Sequence, residues 1–190
     1  MSNQENVYEV PEGLPEPEDD GACDHLPGMR MPSVSLMSTA GDPVDLSTLT
    51  ETTVVFCYPL TGRPDQDLPP GWDDIPGARG CTPQSCAFRD HHAELQELGA
   101  RVFGLSAQDT AYQREAAERL HLPFLLLSDE NLEFARALEL PTFEAEGMTL
   151  IKRLTLVVEG GEIRKVFYPV FPPGRNAEDV LSWLSERSAT

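Results

Sequence analysis

The run of apolar residues at Thr53–Tyr58 constrains the fold of this chain more strongly than any other feature. The run reads TVVFCY, so it has the length of a strand and no polar face that could be left in water. Similar runs recur at residues 101–106, 124–127 and 150–158, and segments with helical periodicity separate them. Because a strand buried on both faces needs cover on each side, this pattern predicts a sheet between two layers of helices.

The remaining elements give the order of the predicted fold. Two hairpins are predicted from strand segments that flank turn residues: Ser33–Met37 with Val44–Leu46 around Gly41-Asp42-Pro43, and Leu150–Val158 with Glu162–Tyr168 around Glu159-Gly160-Gly161. Helical periodicity marks four segments: Thr82–Leu98, Thr110–His121, Glu130–Leu138 and Asn176–Ser185. This order is that of an α/β protein with a thioredoxin-like mixed sheet flanked by helices and an N-terminal β-hairpin.

The charge of the chain restricts its partners. The 190 residues carry a formal net charge of -18 at pH 7. Such a surface repels nucleic-acid phosphates and anionic lipid headgroups, so neither nucleic acid nor a membrane is an expected partner. An acidic, disordered tail is predicted over residues 1–25. Residues 1–20 contain no Lys or Arg and hold seven acidic residues: Glu5, Glu9, Glu12, Glu16, Glu18, Asp19 and Asp20.

The rest of the chain, residues 26–190, predicts a single domain. No apolar run approaches the roughly 18 residues that a membrane span needs, and no basic segment followed by an apolar core opens the sequence. A cytoplasmic location is therefore expected.

Four cysteines are candidates for redox chemistry or for plain burial: Cys23, Cys57, Cys81 and Cys86. No Cys-x-x-Cys pair is present, which disfavours a zinc ribbon, and neither a metal nor another cofactor is expected. Cys57 lies in a predicted buried strand and is interpreted as a core residue. Cys23 is expected to be exposed near the tail.

Cys81 stands where an irregular segment meets the start of a helix. Residues 60–80 are rich in proline and glycine and predict an inserted loop, in which Trp72 either covers the site or packs within the loop. Unpaired N–H groups and the macrodipole at a helix start stabilise an anion, so the thiolate of Cys81 is expected to be favoured. The thiolate is the reactive form of cysteine, and attack on a peroxide would convert it to sulfenic acid.

Cys86 is the candidate partner of Cys81 in a disulfide. On one α-helix, five residues rise about 7.5 Å and their side chains diverge by about 140°. A disulfide needs Cα atoms closer than about 7 Å, so the bond requires the first turns to unwind, which Pro83 makes easier. Spacing alone leaves open that the two cysteines are unrelated, one at a loop end and one in the core.

The segment Gly80–Asp90, which reads GCTPQSCAFRD, resembles the active-site segment of Q-type peroxiredoxins, also called bacterioferritin comigratory proteins. In that family Gly-Cys-Thr-x-x-x-Cys-x-x-Arg-Asp follows a buried strand that ends in Tyr-Pro, as Tyr58-Pro59 does here. A second stretch, Lys152–Val158 with Gly161-Glu162-Ile163, resembles the arginine-containing strand and hairpin of the family. The resemblance covers about residues 26–187.

This resemblance implies a thiol-dependent peroxidase that reduces hydrogen peroxide or organic hydroperoxides. Carried over by position, Cys81 is the peroxidatic cysteine, Cys86 is the resolving cysteine, and Arg153 holds the thiolate and orients the peroxide. The implied reductant is thioredoxin or a similar dithiol, and no cofactor is implied.

One position departs from the family pattern, which usually reads Pro-x-x-x-Thr-x-x-Cys. Ala78 stands where the threonine is expected, three residues before Cys81. The candidates for orienting the peroxide instead are Thr61, returning across the inserted loop, Thr82 and Arg79. The departure leaves two alternatives open: a thiol–disulfide oxidoreductase with little peroxidase activity, and a redox sensor that meets a partner through the loop and the tail.

Overall fold

The computed structural model describes residues 10–188. Its strands are β1 (Ser35–Ser38), β2 (Pro43–Asp45), β3 (Thr52–Cys57), β4 (Ala100–Ser106), β5 (Leu125–Ser128), β6 (Thr142–Ala145), β7 (Met148–Ile151), β8 (Leu154–Glu159) and β9 (Glu162–Phe167). Seven of them form one sheet in the order β2-β1-β5-β4-β3-β8-β9, while β6 and β7 pair separately. Strands β3, β4 and β5 run parallel, and β1, β2, β8 and β9 are antiparallel to their neighbours.

The helices are α1 (Cys81–Asp90), α2 (His92–Glu97), α3 (Thr110–Arg119), α4 (Glu133–Leu138) and α5 (Asn176–Ser188). They alternate with β3, β4 and β5 along the chain, as the apolar runs predicted, and this alternation is what makes those strands parallel. The predicted thioredoxin-like mixed sheet with an N-terminal β-hairpin is therefore confirmed.

The side chains of β3 alternate between two hydrophobic cores. Val54 and Phe56 face α1, α2 and α5, and the ring of Phe56 stacks on Phe88 of α1 with 4.6 Å between centroids. Val55 and Cys57 face the opposite core, which α4 and the residues before β1 cover. Burial of each side chain of this size contributes about 1.5–3 kcal/mol to the stability of the fold. Packing on both faces therefore holds the sheet in place, together with the end of β3 where the inserted loop begins.

Two predicted elements are divided in the structure. The helix predicted over Thr82–Leu98 consists of α1 and α2, because the backbone at His91 (φ -101°, ψ 8°) leaves the helical region. The strand predicted over Leu150–Val158 consists of β7 and β8, and the two residues between them, Lys152 and Arg153, leave the sheet. The other predicted helices and strands are present with ends shifted by a few residues.

The hairpin of β6 and β7 was missed by the sequence analysis. Its turn is Glu146-Gly147, and both residues have positive φ (50° and 74°), as a two-residue hairpin turn with the twist of the strands requires. The hairpin packs on the inserted loop, which is irregular apart from one 3₁₀ turn at Trp72–Asp74. Together they form a third apolar cluster around Trp72, Ala78 and Leu150.

The end of the predicted tail contacts the domain. Cys23, expected to be exposed, is buried (5% exposed) in the core that α4 covers, because the chain turns inward there and continues into the fully buried Leu26. The Tyr168 hydroxyl donates a hydrogen bond to Asp20 (2.9 Å). The first part of the predicted tail, residues 1–9, lies outside the described residues, and the division at residue 25 stays a prediction.

The burial of Cys23 leads to a prediction about the stability of the protein at alkaline pH. Burial and the carboxylates of Asp20, Asp19 and Asp24 raise the pKa of Cys23 from 9.0 to about 12. Between pH 9.0 and about 12 the folded chain therefore keeps a proton that the unfolded chain has lost. As pH rises through this window, the free energy of unfolding falls by up to about 1.4 kcal/mol per pH unit. In Cys23→Ala this contribution is absent, and the fall should be shallower. Urea unfolding across the window, with a reductant present, measures both slopes, and equal slopes would contradict the prediction.

Candidate active site

Cys81 is the first residue of α1 and is buried, with 3% of its surface exposed. Gly80 precedes it with a left-handed backbone (φ 115°), which a glycine adopts without strain. A Cβ at Gly80 would overlap the ring of Pro173, so the glycine also permits a close approach between α1 and the segment before α5. This approach fixes where the helix begins and therefore where the sulfur lies.

Arg153 reaches Cys81 from the connection between β7 and β8. Its Nη2 lies 3.1 Å from the Cys81 Sγ and also donates to the Ala78 carbonyl at 3.0 Å. Its Nε donates to the Gly77 carbonyl (3.3 Å), and its Nη1 donates to Oε1 of Gln84 (2.6 Å). The guanidinium is buried, with 4% exposed, and these contacts give each of its three nitrogens at least one acceptor. A fixed positive charge therefore stands in hydrogen-bond contact with the sulfur.

A buried chain of hydrogen bonds continues behind Arg153. Gln84 donates from Nε2 to Oδ1 of Asn176 (3.1 Å), and the Thr155 hydroxyl donates to the same oxygen (2.6 Å). Because Asn176 accepts from the amino end of Gln84, the carbonyl end of Gln84 faces the guanidinium. These hydrogen bonds connect α1, β8 and α5, and they hold the side chain of Gln84 in the orientation that contacts Arg153.

The three residues considered for orienting a peroxide occupy different positions. The Thr61 hydroxyl donates to Oε1 of Gln108 (3.3 Å), and the Tyr112 hydroxyl donates to the Thr61 carbonyl (2.7 Å). Arg79 is ion-paired with Asp73, at 3.1 Å between Nη1 and Oδ1. The hydroxyl of Thr82 is buried and has no hydrogen-bond partner within the described part of the chain.

Beside Cys81 lies a small cavity with room for about one water-sized molecule. Residues from both ends of the inserted loop line it with the start of α1: Leu60, Gly62, Leu68, Trp72, Arg79, Gly80, Cys81 and Thr82. The start of the inserted loop therefore does return to the sulfur. The neighbours of Thr61, Leu60 and Gly62, line the cavity, whereas the hydroxyl of Thr61 bonds to Gln108.

Cys86 lies on the same helix as Cys81, and α1 is continuous between them. All four cysteines are free thiols. Cys86 is half-buried, and burial raises the pKa of its thiol. Burial also raises the pKa of Cys57, which is fully buried in β3 as predicted.

Within residues 10–188, no three His, Cys, Asp or Glu side chains lie close enough together to hold a metal ion. The described helices include none that is both long and apolar enough to cross a membrane.

Comparison with known proteins identifies the family. The family model described as Redoxin matches residues 26–181. The chain is 31% identical to the chloroplastic peroxiredoxin Q of Gentiana triflora over 80% of its own length and 58% of that protein. It is also 31% identical to the chloroplastic peroxiredoxin Q of Sedum lineare, over 83% of its length and 76% of that protein. The chain belongs to the redoxin family, in the peroxiredoxin Q group.

Solved structures of this family agree with the fold. The peroxidoxin BcpB of Mycobacterium tuberculosis superimposes with a TM-score of 0.69 at 25% identity, covering 85% of this chain and 98% of that one. The Xylella fastidiosa PrxQ C47S mutant, at 18% identity, covers 95% of this chain and 99% of that one with a TM-score of 0.65. The plant relatives are chloroplastic by name, so the cytoplasmic location stays a prediction without support from the comparisons.

Sequence reasoning on this peroxiredoxin missed Gln84 and Asn176. Gln84 was visible as a polar residue three positions after Cys81, which puts both on one face of a helix. Asn176 was visible only as the first residue of a predicted helix, and its contact with Gln84 joins residues 92 positions apart. A local pattern does not report such a contact.

The hydrogen bond between Asn176 and Gln84 leads to a prediction about the reactivity of Cys81. Asn176→Leu removes the acceptor that orients Gln84, so the guanidinium loses a fixed partner and stabilises the thiolate less. Alkylation of Cys81 by iodoacetamide near neutral pH should slow by about tenfold, as for one lost hydrogen bond. Asn176→Asp keeps an acceptor oxygen and should retain most of the rate. Mass spectrometry of the modified peptide gives the pH–rate profile, and a Leu variant with the wild-type profile would contradict the prediction.

Proposed function

We propose that this chain is a thiol-dependent peroxidase in which Cys81 attacks the peroxide, Cys86 resolves the product and Arg153 assists both the thiolate and the leaving oxygen. The observation that carries the proposal is the 3.1 Å contact between Arg153 Nη2 and Cys81 Sγ at the N-terminus of α1. A guanidinium and free helical N–H groups stabilise the same anion, which is the form that reacts with a peroxide. Membership of the peroxiredoxin Q group supports this chemistry.

In the first step the Cys81 thiolate attacks one peroxide oxygen. An S–O bond forms as the O–O bond breaks, so the sulfur is oxidised to sulfenic acid and the peroxide is reduced. The leaving oxygen takes a proton and departs as water or as an alcohol. Negative charge moves from sulfur to that oxygen in the transition state, and a buried guanidinium donor beside both atoms stabilises it.

Thr82 is the residue that we assign to orient the peroxide. Thr82 lines the cavity beside Cys81, and its hydroxyl is buried with no hydrogen-bond partner within the described residues, which leaves it uncommitted to any of them. Thr61 is less suited because its hydroxyl is engaged by Gln108, and Arg79 because it is paired with Asp73. Thr82 thus supplies a hydroxyl at a site where Ala78 has none.

In the second step Cys86 attacks the sulfenic sulfur, an S–S bond forms and water leaves. The helix must unwind first, because α1 separates residues 81 and 86 by about 7.5 Å along its axis. Unwinding also frees Cys86 from the burial that raises the pKa of its thiol, so it ionises more readily once exposed. Thioredoxin or a similar dithiol then reduces the disulfide by thiol exchange.

The proposal predicts peroxide-dependent oxidation of thioredoxin by the purified protein. Cys81→Ser should abolish it, and Cys86→Ser should allow a single turnover that stops at sulfenic acid. Peptide mapping after one equivalent of hydrogen peroxide should link residues 81 and 86. Reduction of insulin disulfides without peroxide turnover would instead favour the thiol–disulfide oxidoreductase, and absence of both activities would favour the redox sensor.

The assignment of Thr82 has its own test. Thr82→Val removes a hydroxyl that has no partner among residues 10–188, so folding should be unaffected while kcat/KM for peroxide falls about tenfold or more. Thr82→Ser should keep most of the rate.

Ser85→Ala is the matched control for this test. The Ser85 hydroxyl is also buried without a partner within the described residues and lies on the same helix, but Ser85 does not line the cavity. Its loss should leave kcat/KM unchanged. Equal rates for Thr82→Val and wild type, or equal losses for Thr82→Val and Ser85→Ala, would contradict the assignment.

A further inference from the structure

The cavity beside Cys81 has an apolar wall that comes entirely from the inserted loop. Leu60, Leu68 and Trp72 form this wall, and the start of α1 forms the opposite side. Trp72 is the largest of the three side chains and is buried, with 3% exposed. The loop therefore determines how much space lies in front of the sulfur.

The wall is held in place by a small core of its own. The Trp72 ring packs against Phe143 of the β6–β7 hairpin, with 5.9 Å between ring centroids, and belongs to the cluster that contains Ala78 and Leu150. The ion pair of Asp73 with Arg79 connects the residue after Trp72 to the residue two before Cys81. These contacts fix the distance between the wall and the sulfur.

The start of α1, on the opposite side of the cavity, is also closely packed against its neighbours. Gly80 lies against the ring of Pro173, and α1 packs on the segment that leads into α5. The tryptophan and the helix are therefore the two most tightly packed parts of the lining. A larger cavity of about 430 Å³ lies against Arg153, but Cys81 is not among the described residues that line it.

We propose that Trp72 restricts this site to hydrogen peroxide and to hydroperoxides with small substituents. Hydrogen peroxide is little larger than the water-sized molecule that the cavity admits, whereas the space between the sulfur and the apolar wall does not hold a cumyl group. The inference rests on the proposed peroxidase function and names the substrate class of that same site. It makes the inserted loop the element that determines substrate size.

The test compares kcat/KM for cumene hydroperoxide and for hydrogen peroxide in wild type and three variants. Wild type should favour hydrogen peroxide by about tenfold or more, the discrimination expected when a substrate group does not fit a pocket. Trp72→Ala should shift the ratio toward cumene hydroperoxide by about tenfold. Leu68→Ala should shift it in the same direction by a smaller factor, and because Leu68 is half-buried this variant tests the wall even where Trp72→Ala does not fold.

Ile75→Ala is the matched control. Ile75 belongs to the same loop and the same apolar cluster as Trp72 but does not line the cavity. Its substitution loosens the loop without removing the wall, so the ratio should stay at the wild-type value.

Three results would overturn the inference: equal kcat/KM for the two peroxides in wild type, unchanged ratios in Leu68→Ala and Trp72→Ala, or a shift in Ile75→Ala as large as theirs. Wild-type protein that turns over neither peroxide would overturn the proposed function itself, and this inference with it.

Discussion

The burial of one cation beside one sulfur governs the arrangement of the site. A buried guanidinium is costly unless its nitrogens find acceptors. Each nitrogen of Arg153 has one or two, among the carbonyls of Gly77 and Ala78, the amide oxygen of Gln84 and the sulfur of Cys81. Two of those acceptors belong to the end of the inserted loop and two to the first turn of α1. The conformation of the loop, the start of the helix and the position of the arginine therefore depend on one another.

The sheet was predictable because its central strands are buried on both faces. The run Thr53–Tyr58 has no polar side, so it indicated a covered strand without any knowledge of its neighbours. The hairpin of β6 and β7 was not predictable in this way, since Phe143 is the only large apolar residue in Thr142–Ala145. That hairpin is stabilised by Trp72, about 70 residues earlier in the chain, and no local periodicity reports such a partner.

The candidate site shows the same division between local and distant information. The position of Cys81 at a helix start followed from the breakers before it and the periodicity after it. Its contact with Arg153 was inferred from a family resemblance, because the contact joins residues 72 positions apart. Thr61 was considered because the family has a threonine near the sulfur, and only the three-dimensional arrangement shows that Gln108 engages its hydroxyl. Sequence patterns thus located the sulfur, whereas its surroundings depend on tertiary packing.

In the proposed reaction, oxidation of Cys81 and unwinding of α1 act on the same contacts. The thiolate attracts Arg153, and Gln84 ties the guanidinium to α5 through Asn176. Conversion of the thiolate to a neutral sulfenic acid removes the charge that this arrangement stabilises, so the helical form loses a favourable interaction at the moment when the disulfide requires it to unwind. Pro83 lies in the first turn, where backbone N–H groups have no partner within the helix, so its missing donor removes no helical hydrogen bond and does not make the turn easier to open. In the reaction that we propose, the buried arginine that favours attack on the peroxide also holds the helix closed beforehand and holds it less firmly afterwards.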